Sequence, residues 1–71
     1  MDLRVREFVE NFADEIIGIG QCAIRFRVGY QMYTVIWLQN NVAAVRLNSN
    51  TLFIDKDERV YAFVQCIFNI N

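Results

Sequence analysis

The chain has 71 residues, of which 55% are hydrophobic and 21% charged, so it is long enough for one small folded domain and too apolar to be disordered. Seven cationic and eight acidic side chains give a net charge of −1, which excludes recognition of nucleic acid or anionic membrane by bulk positive charge. The chain has no histidine, which excludes Ser-His and Cys-His catalytic pairs, and we expect a protein that is not an enzyme.

The first predicted element is an amphipathic helix from Leu3 to Ile17. Asp2 precedes it and can cap it through its carboxylate, and Gly18 and Gly20 are expected to end it. We expect its apolar face, with Phe12 near the centre, to pack on a sheet. That face is defined by three- and four-residue steps between Val5, Phe8, Val9, Phe12, Ala13, Ile16 and Ile17.

After Gly20 the apolar residues alternate, which predicts strands joined by short turns. The five predicted strands are Gln21–Val28, Gln31–Gln39, Val42–Leu47, Thr51–Ile54 and Arg59–Ile70, with a polar loop at 55–58. Strands this close in sequence pair with their neighbours as an antiparallel meander. The predicted fold is α+β, a single domain over 1–71 in which the N-terminal helix packs on one face of a five-stranded antiparallel sheet. A helix with a small closed barrel of the Sm or SH3 type is the alternative.

The second predicted strand is apolar on both of its faces. One helix covers only one face of a sheet, and we assign to that face Ile24, Phe26, Ile36, Leu38, Val45 and Val64. Tyr, Trp, Phe and Arg are the residues enriched in protein interfaces, and they dominate the opposite face. We therefore predict that this second face binds a partner through Arg25, Arg27, Tyr33, Val35, Trp37, Tyr61 and Phe63.

These features predict a small protein-binding module that acts as an inhibitor or adaptor by steric occlusion, of the kind that phages and other mobile elements encode. The partner would be a target protein or a second copy of the chain in a homodimer. Trp37 and Tyr61 would be the anchors of the interface. Five acidic residues are candidate mimics of nucleic-acid phosphate, namely Asp14, Glu15, Asp55, Asp57 and Glu58. We expect no cofactor, no membrane and no small-molecule substrate.

A second interpretation is an RNA-binding or single-stranded nucleic-acid-binding protein. Proteins of this class stack bases on aromatic residues of a sheet and bind phosphates through arginine. A helix followed by five short strands in about this length resembles the Sm-type barrel. That resemblance implies an oligomer that binds RNA.

The two cysteines, Cys22 and Cys66, are too few for a zinc site in a chain without histidine, so no metal is expected. Both fall at apolar positions of the predicted strands, and we expect buried free thiols, with a disulfide bridge as the alternative. The N-terminal segment lacks the apolar run of a signal peptide, and no apolar run reaches the roughly 18 residues of a membrane span. We therefore expect a cytoplasmic protein.

Overall fold

The computed structural model describes residues 2–70, without the side chain of residue 70, as five strands with a helix before and a helix after them. The elements are α1 (Leu3–Phe12), β1 (Glu15–Ile19), β2 (Ala23–Val28), β3 (Gln31–Trp37), β4 (Val42–Leu47), β5 (Asn50–Lys56) and α2 (Asp57–Ile70). The strands lie in the order β1-β2-β3-β4-β5, and every pair is antiparallel. The predicted α+β fold with an antiparallel meander is confirmed. Met1 and Asn71, the ends of the predicted domain, lie outside the described residues.

Helix α1 begins as predicted but ends five residues early. The Asp2 carboxylate accepts a hydrogen bond from the Arg4 backbone N–H at 2.9 Å, which satisfies one free donor of the first turn. Val5 and Val9, one turn apart, are fully buried. Phe12 ends the helix with 61% of its surface exposed, so its expected place at the centre of the core is wrong.

The residues expected to finish the first helix form the edge strand β1 instead. Glu15 lies opposite Arg27, and Gly18 lies opposite Arg25, so Gly18 is a strand residue and not a helix stop. The register shifts between Ile16 and Gly18 at a β-bulge. The backbone hydrogen bonds to β2 stabilise this segment as a strand, and the spacing of apolar residues in the sequence does not reveal them. The pairing begins at Asp14, which donates its N–H to the Arg27 carbonyl.

Tight turns set the register of the three central strands. Gly29 and Asn48 have positive φ angles of 61° and 57°, each in a two-residue connection between neighbouring strands. Between β3 and β4, Asn40 and Asn41 also have positive φ, a conformation that asparagine tolerates well. Among the described strands β1 and β5 pair with one neighbour each, so the sheet is open and the barrel alternative is not formed.

The segment predicted as the fifth strand, Arg59–Ile70, lies within helix α2. Val60, Val64 and Ile67 follow a helical spacing and are at most 5% exposed. Asp57 and Glu58 occupy the first turn, where the helix dipole favours negative charge. The predicted count of one helix is therefore wrong.

Both helices lie on the same face of the sheet, here called the inner face. Phe26 stacks against Tyr33 at 5.8 Å and against Phe68 of α2 at 5.9 Å between ring centroids. Phe53 of β5 and Phe63 of α2 stack in parallel at 4.5 Å. The core is built from Val5, Val9, Ile24, Phe26, Val28, Tyr33, Val35, Trp37, Ala43, Val45, Val60, Val64 and Ile67. No helix in the described part of the chain is long and apolar enough to cross a membrane.

Candidate partner-binding surface

The five apolar residues predicted to bind a partner lie in the core of this subunit or pack against it. Tyr33, Val35 and Trp37 are 7%, 0% and 8% exposed on the inner face. Tyr61 and Phe63 lie on α2 and are half-buried against that core. The missed helix α2 covers the face that we expected to be open. Partner binding by these five residues stays a prediction, but they do not form an exposed surface together.

The predicted arginines point away from those aromatic residues. Arg25 lies opposite Thr34, and Arg27 lies opposite Met32, on the face that neither helix covers. This uncovered side of the sheet is here called the outer face. The two-residue turn at Gly29 pairs Val28 with Gln31, and this register places Tyr33 on the inner face with Phe26. The prediction that the aromatic residues and the arginines share one surface is therefore wrong, because the register of β3 against β2 differs by one residue from the expected one.

The outer face carries an apolar row that crosses four strands. Successive cross-strand partners form it, namely Ala23, Ile36, Ala44 and Ile54. Ala44 is 7% exposed between its two isoleucine neighbours, whereas Ile54 is 56% exposed. The row is therefore buried at Ala44 and exposed to solvent at Ile54.

A polar row runs beside the apolar row. It consists of Gly18, Arg25, Thr34, Arg46 and Thr51, again as successive cross-strand partners. The Arg25 Nε donates to the Thr34 hydroxyl at 3.2 Å, and the Arg46 Nη2 donates to the Ser49 carbonyl at 2.7 Å. These hydrogen bonds tie the Arg25 guanidinium to β3 and the Arg46 guanidinium to the turn between β4 and β5. The Nε of Arg46 is buried and has no hydrogen-bond partner among the described residues.

Charge is divided unevenly between the two sides of the sheet. Among the described strands, the outer face by register holds four cationic side chains, Arg25, Arg27, Arg46 and Lys56, and one carboxylate, Glu15. The Arg27 Nε lies 3.2 Å from the Glu15 Oε1, and the Arg27 Nη1 donates to the Gly29 carbonyl at 2.7 Å. The outer face therefore has a net positive charge on a chain whose total charge is −1.

The five acidic residues proposed as phosphate mimics do not share one surface. Asp14 and Glu15 belong to the β1 edge, where Asp14 accepts a hydrogen bond from the Gly29 N–H at 2.6 Å. Asp55, Asp57 and Glu58 belong to the opposite edge, at the junction of β5 and α2. Their separation across the sheet does not support a single phosphate-like strip.

Both cysteines are free thiols, and both are exposed, so their predicted burial is wrong. Cys22 lies in the turn between β1 and β2, and Cys66 lies on α2. The described residues contain no group of three or more metal-ligating side chains. Hydrogen bonds from Arg4 lower the pKa of the Asp2 carboxyl, which caps α1 away from the outer face.

Sequence reasoning missed Ile36, Ala44, Arg46 and Ile54 as one surface. The signal that could have found them was the length of the turns, because a two-residue hairpin loop fixes which residues face each other. Comparison with protein-family models, with curated proteins and with solved structures finds no match to this chain.

Proposed function

We propose that this protein is a non-enzymatic binding module that docks a partner protein on its outer face and acts as an inhibitor or adaptor by covering the partner's own surface. One observation carries the proposal: both helices cover the inner face, which leaves an apolar row on the outer face whose Ile54 end is exposed to solvent. A sheet face held by hydrogen bonds on all five strands is preorganised, so binding costs little conformational entropy.

The positive charge of the outer face favours a partner whose binding surface is negatively charged. Arg25 and Arg46 lie beside Ile36 and Ile54, which matches an interface with an apolar centre and arginine at its margin. Two copies stacked through this face would bring like charges together, which disfavours that association. The preferred partner is therefore a different protein with an apolar patch surrounded by carboxylates. A cytoplasmic location and a phage or mobile-element origin stay predictions.

The test uses a photo-crosslinking amino acid at position 54 and, as a control, at position 3 in cells that produce the protein. Leu3 is 63% exposed on α1, so the two positions are similarly accessible. We expect a partner that crosslinks from position 54 alone. With that partner purified, Ile54→Arg should weaken binding at least tenfold, and Leu3→Arg should change it less than twofold. Absence of a partner at position 54, or equal losses from both variants, would contradict the proposal.

A second candidate, single-stranded RNA binding, is favoured by the excess of cationic side chains on the outer face. The outer-face positions of the described strands hold no aromatic residue, so the stacking part of such recognition is missing there. Binding would then depend on phosphate contacts alone. Arg25→Ala and Arg27→Ala should in that case lower affinity for a uridine oligonucleotide and flatten its salt dependence. No binding at low salt ends this candidate.

A further inference from the structure

The edge strand β1 ends in the stretch 17–19, and no described strand lies on its outer side. Gly20 donates its N–H to the Ala23 carbonyl at 2.8 Å, so by strand alternation the N–H and C=O of Ile19 point away from β2. Ile17 and Ile19 are 43% and 44% exposed. Open sheet edges normally carry charge, proline or a covering segment, and the stretch 17–19 has neither charge nor proline.

A hollow of about 320 Å³ lies on the outer face beside this edge. It is lined by Ile17, Gly18, Ile19, Gly20, Ala23, Arg25 and Thr34. Gly18, Gly20 and Ala23 contribute little or no side chain to its lining, and a Cβ atom built on Gly18 would meet nothing within 4 Å. An aliphatic side chain that extends from a strand added next to β1 would enter this space over Gly18.

Arg25 supplies a positive charge at the wall of the same hollow. Its Nε is engaged by Thr34, but its two terminal nitrogens form no hydrogen bond with any described residue. Glu15, the one carboxylate that the described strands place on the outer face, pairs with Arg27 instead. A carboxylate that arrives with a ligand therefore finds an available guanidinium.

We propose that β1 accepts an extended peptide segment of a partner protein as a sixth strand, with an aliphatic side chain in the hollow over Gly18 and a carboxylate on Arg25. Main-chain hydrogen bonds to Ile19 would give affinity, and the hollow with its guanidinium would select the sequence. The two side chains lie two residues apart in the peptide, because alternate residues of a strand share a face. This site is centred on the β1 edge and shares Ala23 with the apolar row, whose exposed end at Ile54 lies on the other edge strand, β5.

The test is a titration of the ¹⁵N-labelled chain, followed by amide shifts, with an acetylated and amidated threonine heptapeptide carrying leucine at its second position and aspartate at its fourth. We expect saturable shifts at Ile17 to Ile19. The same peptide with asparagine in place of aspartate should bind at least fivefold more weakly, and Arg25→Gln should bring that ratio close to one.

Gly18→Val places a branched side chain in the hollow, and its Cβ atom would meet no other atom within 4 Å. It should therefore abolish binding of both peptides in a folded protein, as checked by circular dichroism. Thr51→Val, on the other edge strand, is the matched control and should bind like the wild type. Ile54→Arg should also leave peptide binding unchanged, which separates this site from the proposed outer-face interface.

Several results would overturn the proposed strand addition. These are the absence of shifts at millimolar peptide, shifts confined to β5, equal binding of the two peptides to the wild type, or retained binding by Gly18→Val. Concentration-dependent shifts at β1 without peptide would show that a second copy occupies the edge, and they would also overturn it.

Discussion

Replacing Trp37 with alanine distinguishes a core residue from an interface anchor. The indole is 8% exposed on the inner face, and truncation of a buried aromatic side chain costs about 3–5 kcal/mol. A domain of 71 residues has a free energy of unfolding of about 4–11 kcal/mol. Because a small protein loses about 1 kcal/mol of stability per molar urea, the unfolding midpoint should fall by about 3 M or more. Urea titration followed by far-ultraviolet circular dichroism measures this shift.

Trp37→Phe is the matched variant, because it keeps an aromatic ring in the same site. The Nε1 of Trp37 is buried without a hydrogen-bond partner among the described residues, so removing that donor offsets part of the lost packing. We expect a change of less than about 1.5 kcal/mol. The native emission of this single tryptophan should also lie well to the blue of that in the unfolded chain. A loss below about 1 kcal/mol for the alanine variant, or solvent-like native emission, would refute burial in the core.

Three further predictions concern other parts of the fold. Asp2→Ala should lower stability by about 1 kcal/mol at neutral pH. Because pairing with Arg4 lowers the pKa of Asp2 below its ordinary value of 3.8, this contribution is present above pH 3.8. Thermal melts should show that it is lost as the pH falls through the folded-state pKa. A double-mutant cycle between Phe53 and Phe63 should give a coupling energy of about 0.5–1.5 kcal/mol, and zero coupling would contradict their stacking. Cys22 and Cys66 should both react with a thiol reagent in the native protein, and a requirement for denaturant would contradict their exposure.

The meander could be predicted from the sequence because its signals are local. Strand β4 was predicted with its observed bounds, Val42–Leu47, and the turns that follow β2 and β4 lie where glycine and asparagine indicated them. The face of β3 was assigned wrongly because both faces are apolar, so composition alone does not choose between them. The choice is made by the two-residue connection at Gly29, which fixes the register with β2.

Helix α2 was missed because its apolar residues satisfy two periods at once. Val60, Ala62, Val64 and Cys66 alternate as a strand would, whereas the buried residues of the helix are Val60, Val64 and Ile67. Length was the discriminating signal, since a predicted strand of twelve residues exceeds the usual three to ten. The acidic first turn at Asp57 and Glu58 pointed the same way.

The strictly sequential order of the strands bears on how quickly the native state is reached. Every ladder joins two segments that are adjacent along the chain, so each hairpin closes a short loop and little entropy is lost before contacts form. Contacts between residues far apart in sequence join the two helices, where the ring centroids of Phe8 and Phe68 are 5.1 Å apart. This sequential pairing favours fast formation of the sheet, and docking of the helices is the step that links the two ends of the chain.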